Sequence, residues 1–547
     1  MCGILGLLLK ESYNIENDTK DKYKIGEHFK FGKKRGPEYS TIKNITPQII
    51  WGFHRLCING LDEVSNQPIK TESCIMMCNG EIYNYKKLIQ QFKLNVKTNS
   101  DCEVIAGLYK IMGPTFVNLL DGVFSFVIYD SSQNKVIIGR DPYGVRPLYI
   151  CHYENGNIGF ASDLMPLLFD KNISHIRQYE PGTYCVYEQK LGKYTRTLQE
   201  RYFFNISYMN EYQKPVEYYM FQIVQKLKEA VRKRVDNCER EVASLLSGGL
   251  DSSIISALVC QEYYKKTGVK LETYSIGLEG GVDLKYSKMV GEHIQSNHTT
   301  ILASEEDFIA SIENVICDIE SYDTTTVRAS VGNWNVAKYI KEHSNAKVIF
   351  NGDGADELMG GYMYFHCAPD DNEFHNETLR LLSNISMFDV LRSDKSISSH
   401  GLEPRTPFLD KEFTKFYISI PIEYRNHNHF GNCEKYLIRK SFEIYCPGLL
   451  PKEVLWRKKE AFSDGVSSKK RAWYQIVQDS ENVTNITMSN YYHHNKPESC
   501  EQEYYRVIFS KYYNKCDNLI PYFWMPKFIK GVADASARTL DVYKSKK

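Results

Sequence analysis

A change of period near residue 215 constrains this chain more than any other feature. Before it, short β-branched and aromatic runs at residues 49–53, 75–78, 123–129, 136–139 and 158–161 alternate with Gly, Pro and Asn clusters. Such runs read as strands joined by turns. In that half only residues 86–92 and 103–112 carry a helical pattern. Beyond it, residues 218–235 repeat at helical spacing. A strand at 242–246, a Ser-Gly-Gly turn and a helix at 252–267 follow, then strands at 271–276 and 347–350. The first half therefore predicts an antiparallel α+β domain, and the second a parallel α/β sheet. The polar segment 208–215 reads as their linker, and the part from residue 433 onward as helical or irregular. At ~150 residues per domain, 547 residues exceed one core. Two domains, 2–207 and 216–547, are expected.

The charge balance narrows the partners. Lys+Arg total 68 against 67 for Asp+Glu, a net charge of +1 that offers no field for nucleic acid or an anionic membrane. No apolar run approaches the ~18 residues of a membrane span. The apolar start, residues 1–10, lacks a basic leader and breaks at Lys10, so it reads as a buried strand and not a signal peptide. Without such a signal, the Asn-x-Ser/Thr triplets at Asn44, Asn172 and Asn482 read as chance matches. The 15 cysteines, an odd number spread along the chain, fit reduced thiols and a cytoplasmic location.

Cys2 precedes a small residue, Gly3, so loss of Met1 would leave cysteine first. Its α-amine, with a free pKa of ~7.7–8.0, would then be a base within reach of its own thiol. The alternative is a small hydrophobe in the first strand. Arg55 follows a strand and could clamp a carboxylate bidentately. Asn79 and Gly80 could donate two N–H groups to an oxyanion, although Asn-Gly alone reads as a hairpin turn. Asp101 could hold an ammonium group or act as a first-turn acid.

Together, Cys2-Gly3-Ile4, residues 34–38 (KRGPE), Arg55-Leu56, residues 79–84 (NGEIYN) and Ser100-Asp101 resemble the glutaminase domain of class II, N-terminal-nucleophile amidotransferases. The resemblance implies a four-layer αββα sandwich that hydrolyses the side-chain amide of glutamine. It implies Cys2 as nucleophile and amine base, and Asn79 with Gly80 as oxyanion hole. Arg55 and Asp101 would hold the glutamine α-carboxylate and α-amine, with backbone contacts from Leu56, Ile58 and Glu81. The family usually has His and Asp at the ends of the segment where this chain has Lys34 and Glu38.

In the second half, residues 245–253 (LLSGGLDSS) follow a strand and open a helix. Glycine backbone N–H groups and a helix N-terminus suit a phosphate. Asp251 beside a phosphate makes sense as a Mg²⁺ ligand, as does Asp356, or either could cap a turn. Lys459 could neutralise phosphate charge or lie on the surface. The Gly-Lys-Ser/Thr of a Walker loop is missing. The string resembles the pyrophosphate loop of ATP pyrophosphatases, which cleave ATP to AMP and pyrophosphate. Residues 274–284, 321–330, 392–395, 400–410 and 457–465 narrow the resemblance to asparagine synthetases, and it extends to residues 523–527.

That resemblance implies a doubly wound parallel-sheet domain with a helical C-terminal extension. It implies L-aspartate, L-glutamine and ATP as substrates, Mg²⁺, a homodimer, and ammonia passing between domains through a protected tunnel. Leu245, Ser247, Gly248, Gly249, Asp251, Ser252, Ile276, Asn351 and Gly352 would line the nucleotide pocket. Thr325 and Arg328 would address aspartate, and Lys459 would act on the phosphates. Asp353 stands where many members carry a glutamate associated with β-aspartyl-adenylate formation. Two other readings compete. A β-lactam-synthetase-type relative typically lacks the N-terminal cysteine, and a silent scaffold would have no need of Cys2, Arg55, Asn79, Asp101, Asp251, Asp356 and Lys459 together.

Overall fold

A computed structural model of the chain describes residues 2–16, 24–72, 74–190, 192–204, 214–431, 433–489, 491–532 and 534–541. Residues 205–213, which include most of the expected linker 208–215, lie outside the described residues.

The N-terminal half holds two six-stranded sheets. One has the spatial order Ile173–Gln178, Tyr149–Tyr153, Ile158–Ala161, Gly3–Leu8, Ile49–Arg55, Tyr39–Thr46. The other runs Lys193–Arg201, Thr183–Lys190, Lys135–Arg140, Gly122–Asp130, Cys74–Ile82, Ile69–Lys70. Every pairing in both is antiparallel. Alternate side chains of a strand point to opposite faces. Ile4, Leu8, Trp51 and Phe53 of the first sheet thereby meet Met77, Val127 and Ile138 of the second in one buried layer. The far face of the second sheet packs through Met76, Cys78 and Ile82 on the helices Tyr85–Phe92 and Val104–Met112. The far face of the first packs through Leu5, Leu7 and Tyr149 on the short helix Ile25–Phe29 and on side chains of the C-terminal half, Phe509 and Leu519 among them. The expected αββα sandwich is present, with one helical layer largely supplied by the other half of the chain.

The C-terminal half is built on a parallel sheet ordered Asn297–Ala303, Glu272–Leu278, Val242–Leu245, Val348–Phe350, Glu403–Arg405. Numbered within this half, that order is 3-2-1-4-5, the doubly wound arrangement. The strand order reverses beside Val242–Leu245, and ligands of such sheets lie outside the carboxyl ends of the strands at that point. The strand Asn297–Ala303 escapes a pattern reading because it is an edge strand with a half-exposed Asn-His-Thr-Thr start. No described helix is long and apolar enough to cross a membrane.

The two halves meet across a seam of buried charge. Arg35 donates to Asp394 at 2.8 Å and to Ser398 at 2.8 Å. Lys395 reaches Asp163 at 2.8 Å and Glu320 at 2.5 Å. Arg146 lies 3.4 Å from both Asp394 and Glu403, and Arg405 lies 3.3 Å from Glu81. Arg35, Asp163 and Arg146 come from the first half, and Asp394, Lys395 and Glu403 from the second.

Candidate functional site

Two sites flank this seam. The first lies at one end of the β-sandwich. Period-two alternation places Cys2 on the inner face with Ile4, and Asn79 on the facing inner face with Met77. The Cys2 backbone N donates to Asn79 Oδ1 at 3.1 Å, which leaves the Asn79 amide nitrogen as a donor pointing away from that contact. Ser162 Oγ steadies both strands, accepting from Ile4 N at 3.1 Å and from Asn79 Nδ2 at 3.4 Å. Asn79-Gly80 makes no hairpin here. Both residues lie within the strand Cys74–Ile82, paired with Ser125 and Phe124, and a Cβ on Gly80 would stand 2.3 Å from the Val123 carbonyl.

Cys2 is half-buried, and its Sγ lies 3.8 Å from the Leu56 carbonyl. Burial pushes the thiol up to about 11, so at neutral pH it needs a base to react. Arg55 is 4% exposed and donates to Asn66 Oδ1 at 2.7 Å and to the Asp62 and Asn59 carbonyls at 3.1 and 3.3 Å. All of these acceptors are neutral. Among the described residues no carboxylate pairs with it, so a buried positive charge stays open to an anion. Asp101 accepts from Ile82 N at 2.6 Å, and burial pushes its carboxyl up to about 6. The Ile58 carbonyl accepts from Glu239 N at 3.1 Å, and the Glu81 carboxylate faces Asn59 and Arg405 at the seam.

The second site is a cavity of about 200 Å³ at the strand ends of the parallel sheet. Leu245, Ser247, Gly249, Asp251, Ser252, Ile276, Asn351, Gly352, Asp353, Asp356, Thr325 and Lys459, all expected from sequence, line it. Gly248 does not, but it makes the loop. Its φ is +78°, and a Cβ there would stand 2.4 Å from Ser287 N. Ser247 Oγ and Ser252 Oγ are 3.0 Å apart and tie the loop to the first turn of the helix Leu250–Thr267. Gly352 permits the two strand-end loops to touch, since its Cβ would lie 2.8 Å from Ser252 N.

Asp251 and Asp356 share two lysines. Lys459 Nζ lies 2.5 Å from Asp356 and 3.9 Å from Asp251. Lys435 Nζ lies 2.5 Å from each. Burial alone would raise the Asp356 carboxyl, but Lys435 and Lys459 outweigh it and hold it well below the usual carboxylate range. Burial likewise would lower Lys459, and Asp356 and Asp251 outweigh it and raise it. Lys435 carries no motif signal and was invisible in the sequence. Asp353 lies 2.9 Å from Arg392, its other carboxylate oxygen is buried without a hydrogen bond, and burial raises its carboxyl.

The Arg328 guanidinium donates to Glu501, at 2.7 and 2.5 Å, and to Asp534, at 2.8 and 2.7 Å, and does not line the cavity. Those partners lie 173 and 206 positions away, beyond the reach of a local motif. Thr325, three residues earlier, does reach the cavity, and its hydroxyl is buried without a partner.

The glutamine amidotransferase domain family matches residues 1–199, and the asparagine synthase family matches residues 222–373 and 367–507. The glutamine-hydrolysing asparagine synthetase of Gallus gallus is 39% identical over 548 residues, covering 93% of this chain and 95% of that protein. The Homo sapiens enzyme of the same name is 38% identical over 546 residues, with the same coverage of each. Among solved structures, glutamine phosphoribosylpyrophosphate amidotransferase from B. subtilis aligns with a TM-score of 0.31 at 16% identity, over 55% of this chain and 81% of that one. A cysteine bonded through its backbone N–H to an asparagine amide in one half, a strand-end cavity in the other, and 38–39% identity to these relatives over nearly the whole chain agree: the chain belongs to the family of glutamine-hydrolysing asparagine synthetases.

Proposed function

We propose that the chain makes L-asparagine from L-aspartate and ATP with ammonia released from glutamine, through a β-aspartyl-AMP intermediate. The observation that carries this reading is the pairing of Cys2 with Asn79 on one side of a buried seam and the Asp251–Asp356–Lys435–Lys459 cluster on the other.

In the first site, with Met1 removed, the Cys2 nitrogen is an α-amine beside its own thiol. It takes the thiol proton, and the thiolate attacks the glutamine amide carbon. Asn79 Nδ2 and Gly80 N–H stabilise the oxyanion, ammonia leaves, and water then releases glutamate from the thioester. Arg55 receives the α-carboxylate and Asp101 the α-ammonium.

In the second site, the Ser247–Ser252 loop and helix N-terminus receive the ATP phosphates. An L-aspartate side-chain oxygen attacks the α-phosphorus and pyrophosphate leaves. Lys459 and Lys435 balance the charge that develops on it. Ammonia then attacks the acyl carbon and expels AMP. The donor set also suits Mg²⁺, since Asp251 Oδ1 is buried without a hydrogen bond and two carboxylates plus phosphate oxygens are a common ligand set for that ion. When bound, Mg²⁺ supplies further neutralisation of phosphate charge.

The direct test incubates the protein with L-aspartate, ATP, Mg²⁺ and either glutamine or ammonium. Asparagine and AMP should form in equal amounts from both nitrogen sources; formation of neither product from either source refutes the proposal.

Asp101 gives the glutaminase a pH signature. A carboxyl raised to about 6 loses its charge as pH falls through that value, and with it the attraction for the glutamine ammonium. The KM for glutamine, read from glutamate release, should rise as pH falls through about 6. Asp101→Asn should raise KM at neutral pH and flatten the profile. A profile in the variant with the same midpoint would assign the titration to another group.

A further inference from the structure

Trp524 is the last described residue of the chain to line the synthetase cavity, and the described residues around it, 522–532 and 534–540, form a strap tied to the cavity wall at Asp323 and to the segment that follows Lys459. The Trp524 backbone N–H donates to Asp323 Oδ1 at 2.7 Å. The other oxygen of the same carboxylate caps the helix Thr324–His343 through Thr326 N at 2.9 Å. One fully buried carboxylate thus fixes both Trp524 and the helix turn that carries Thr325. The Trp524 ring lies 5.2 Å from the Tyr362 ring, and both side chains line the cavity with Thr325 and Arg392. Further on, Ser536 Oγ donates to Asp464 at 2.7 Å, and Arg538 donates to the Ser468 carbonyl at 2.7 Å. These contacts pin the segment that follows Lys459. Asp534 closes on Arg328.

A strap that only covered apolar surface would need no such contacts. This one braces the Thr325 helix turn and the lysine-bearing loop together, and it adds an indole to the cavity wall that also carries the partnerless Thr325 hydroxyl and the partnerless Asp353 oxygen. Unpaired buried polar atoms in a cavity wall mark where a polar ligand completes them.

We propose that the strap is a working part of the amino-acid end of this cavity and that Trp524 is a specificity-determining residue, its indole setting the length of the acidic amino acid that fits. The proposal rests on the reading that L-aspartate binds at the Thr325 end. A rigid aromatic wall leaves room for a side chain with one methylene before the carboxylate and rejects one with two. Discrimination of a single methylene by an apolar wall is worth about 10–200-fold.

The test uses the full chain with ammonium as nitrogen donor and measures AMP formation from L-aspartate and from L-glutamate. In Trp524→Ala the KM for L-aspartate should rise about tenfold while the KM for ATP stays unchanged, and the preference in kcat/KM for L-aspartate over L-glutamate should fall by about tenfold or more. A general loosening of the fold would raise both KM values and leave the preference intact. Unchanged L-aspartate KM and preference would overturn the proposal. Glutaminase activity at Cys2 monitors folding. If Trp524→Ala loses it, Trp524→Phe, which keeps an aromatic of smaller reach, must show the same fall in preference or the proposal fails. A parent enzyme that forms no AMP from L-aspartate would instead refute the reading beneath it.

Discussion

Cys2→Ala abolishes asparagine formation from glutamine and leaves formation from ammonium at the parent rate: this is the expected result with the sharpest contrast. Losing a covalent nucleophile costs on the order of 10⁴-fold or more, because neighbouring donors cannot replace the missing bond-forming atom. The loss is confined to one reaction because the hydrogen-bond partners of Cys2 among the described residues are Asn79, Leu56 and Arg35, and none of these lines the strand-end cavity. Alanine fits the half-buried position without a new clash, so folding should be preserved. Glutamate release and asparagine formation are assayed side by side. Continued glutamate release would show that another group attacks the amide. Loss of the ammonium-dependent reaction would show that the thiol acts beyond its own half.

Lys459→Met should produce the opposite pattern. Asparagine and AMP disappear with either nitrogen source, by about 10²–10³-fold, the usual consequence of removing one charge that stabilises a transition state. Glutamate release continues. The cluster explains the size of the effect. Asp251, Asp356, Lys435 and Lys459 sum to zero charge, and removing one lysine leaves an excess negative charge where ATP phosphates are to bind. Breaking a buried pair costs about 3–5 kcal/mol when a partner is left uncompensated. Here Lys435 still pairs with both carboxylates and the Lys459 side chain keeps 18% of its exposure, so the stability loss should fall well below that range. A stable variant with normal AMP formation would remove Lys459 from the chemistry.

These two variants were legible in the sequence because their chemistry is local. Cys2 announces itself by its place beside Gly3, and the Ser247–Ser252 loop by its position between strand and helix. Asn79-Gly80 shows where the same locality misleads. As a dipeptide it is a turn, yet the pairing of Cys74–Ile82 with Gly122–Asp130 draws it straight through a strand and aims the asparagine at Cys2. Lys435 shows what locality omits. It adopts φ +56° at the start of the helix Tyr436–Tyr445 and meets Asp251 from 184 residues away, with no periodic or motif pattern to mark it. Arg328 sits inside a recognisable segment, but its partners arrive from the last tenth of the chain. Fold class followed from hydrophobic period because burial enforces it, whereas long-range ion pairs leave no period behind.

The charged seam bears on how such a protein can be taken apart. Arg35, Asp163, Lys395 and Glu320 each bond to residues of both halves, and Asp394 forms its ion pairs across the seam with Arg35 and Arg146. Grafting the glutaminase half of one relative onto the synthetase half of another would strand buried charges unless both faces travelled together, at a cost of about 3–5 kcal/mol for each broken pair. A few such mismatches equal the whole stability of an ordinary domain. The halves are separate in chemistry but not in inheritance: a change of charge on one side selects for its complement on the other, and workable chimaeras will be those that exchange the seam as a unit.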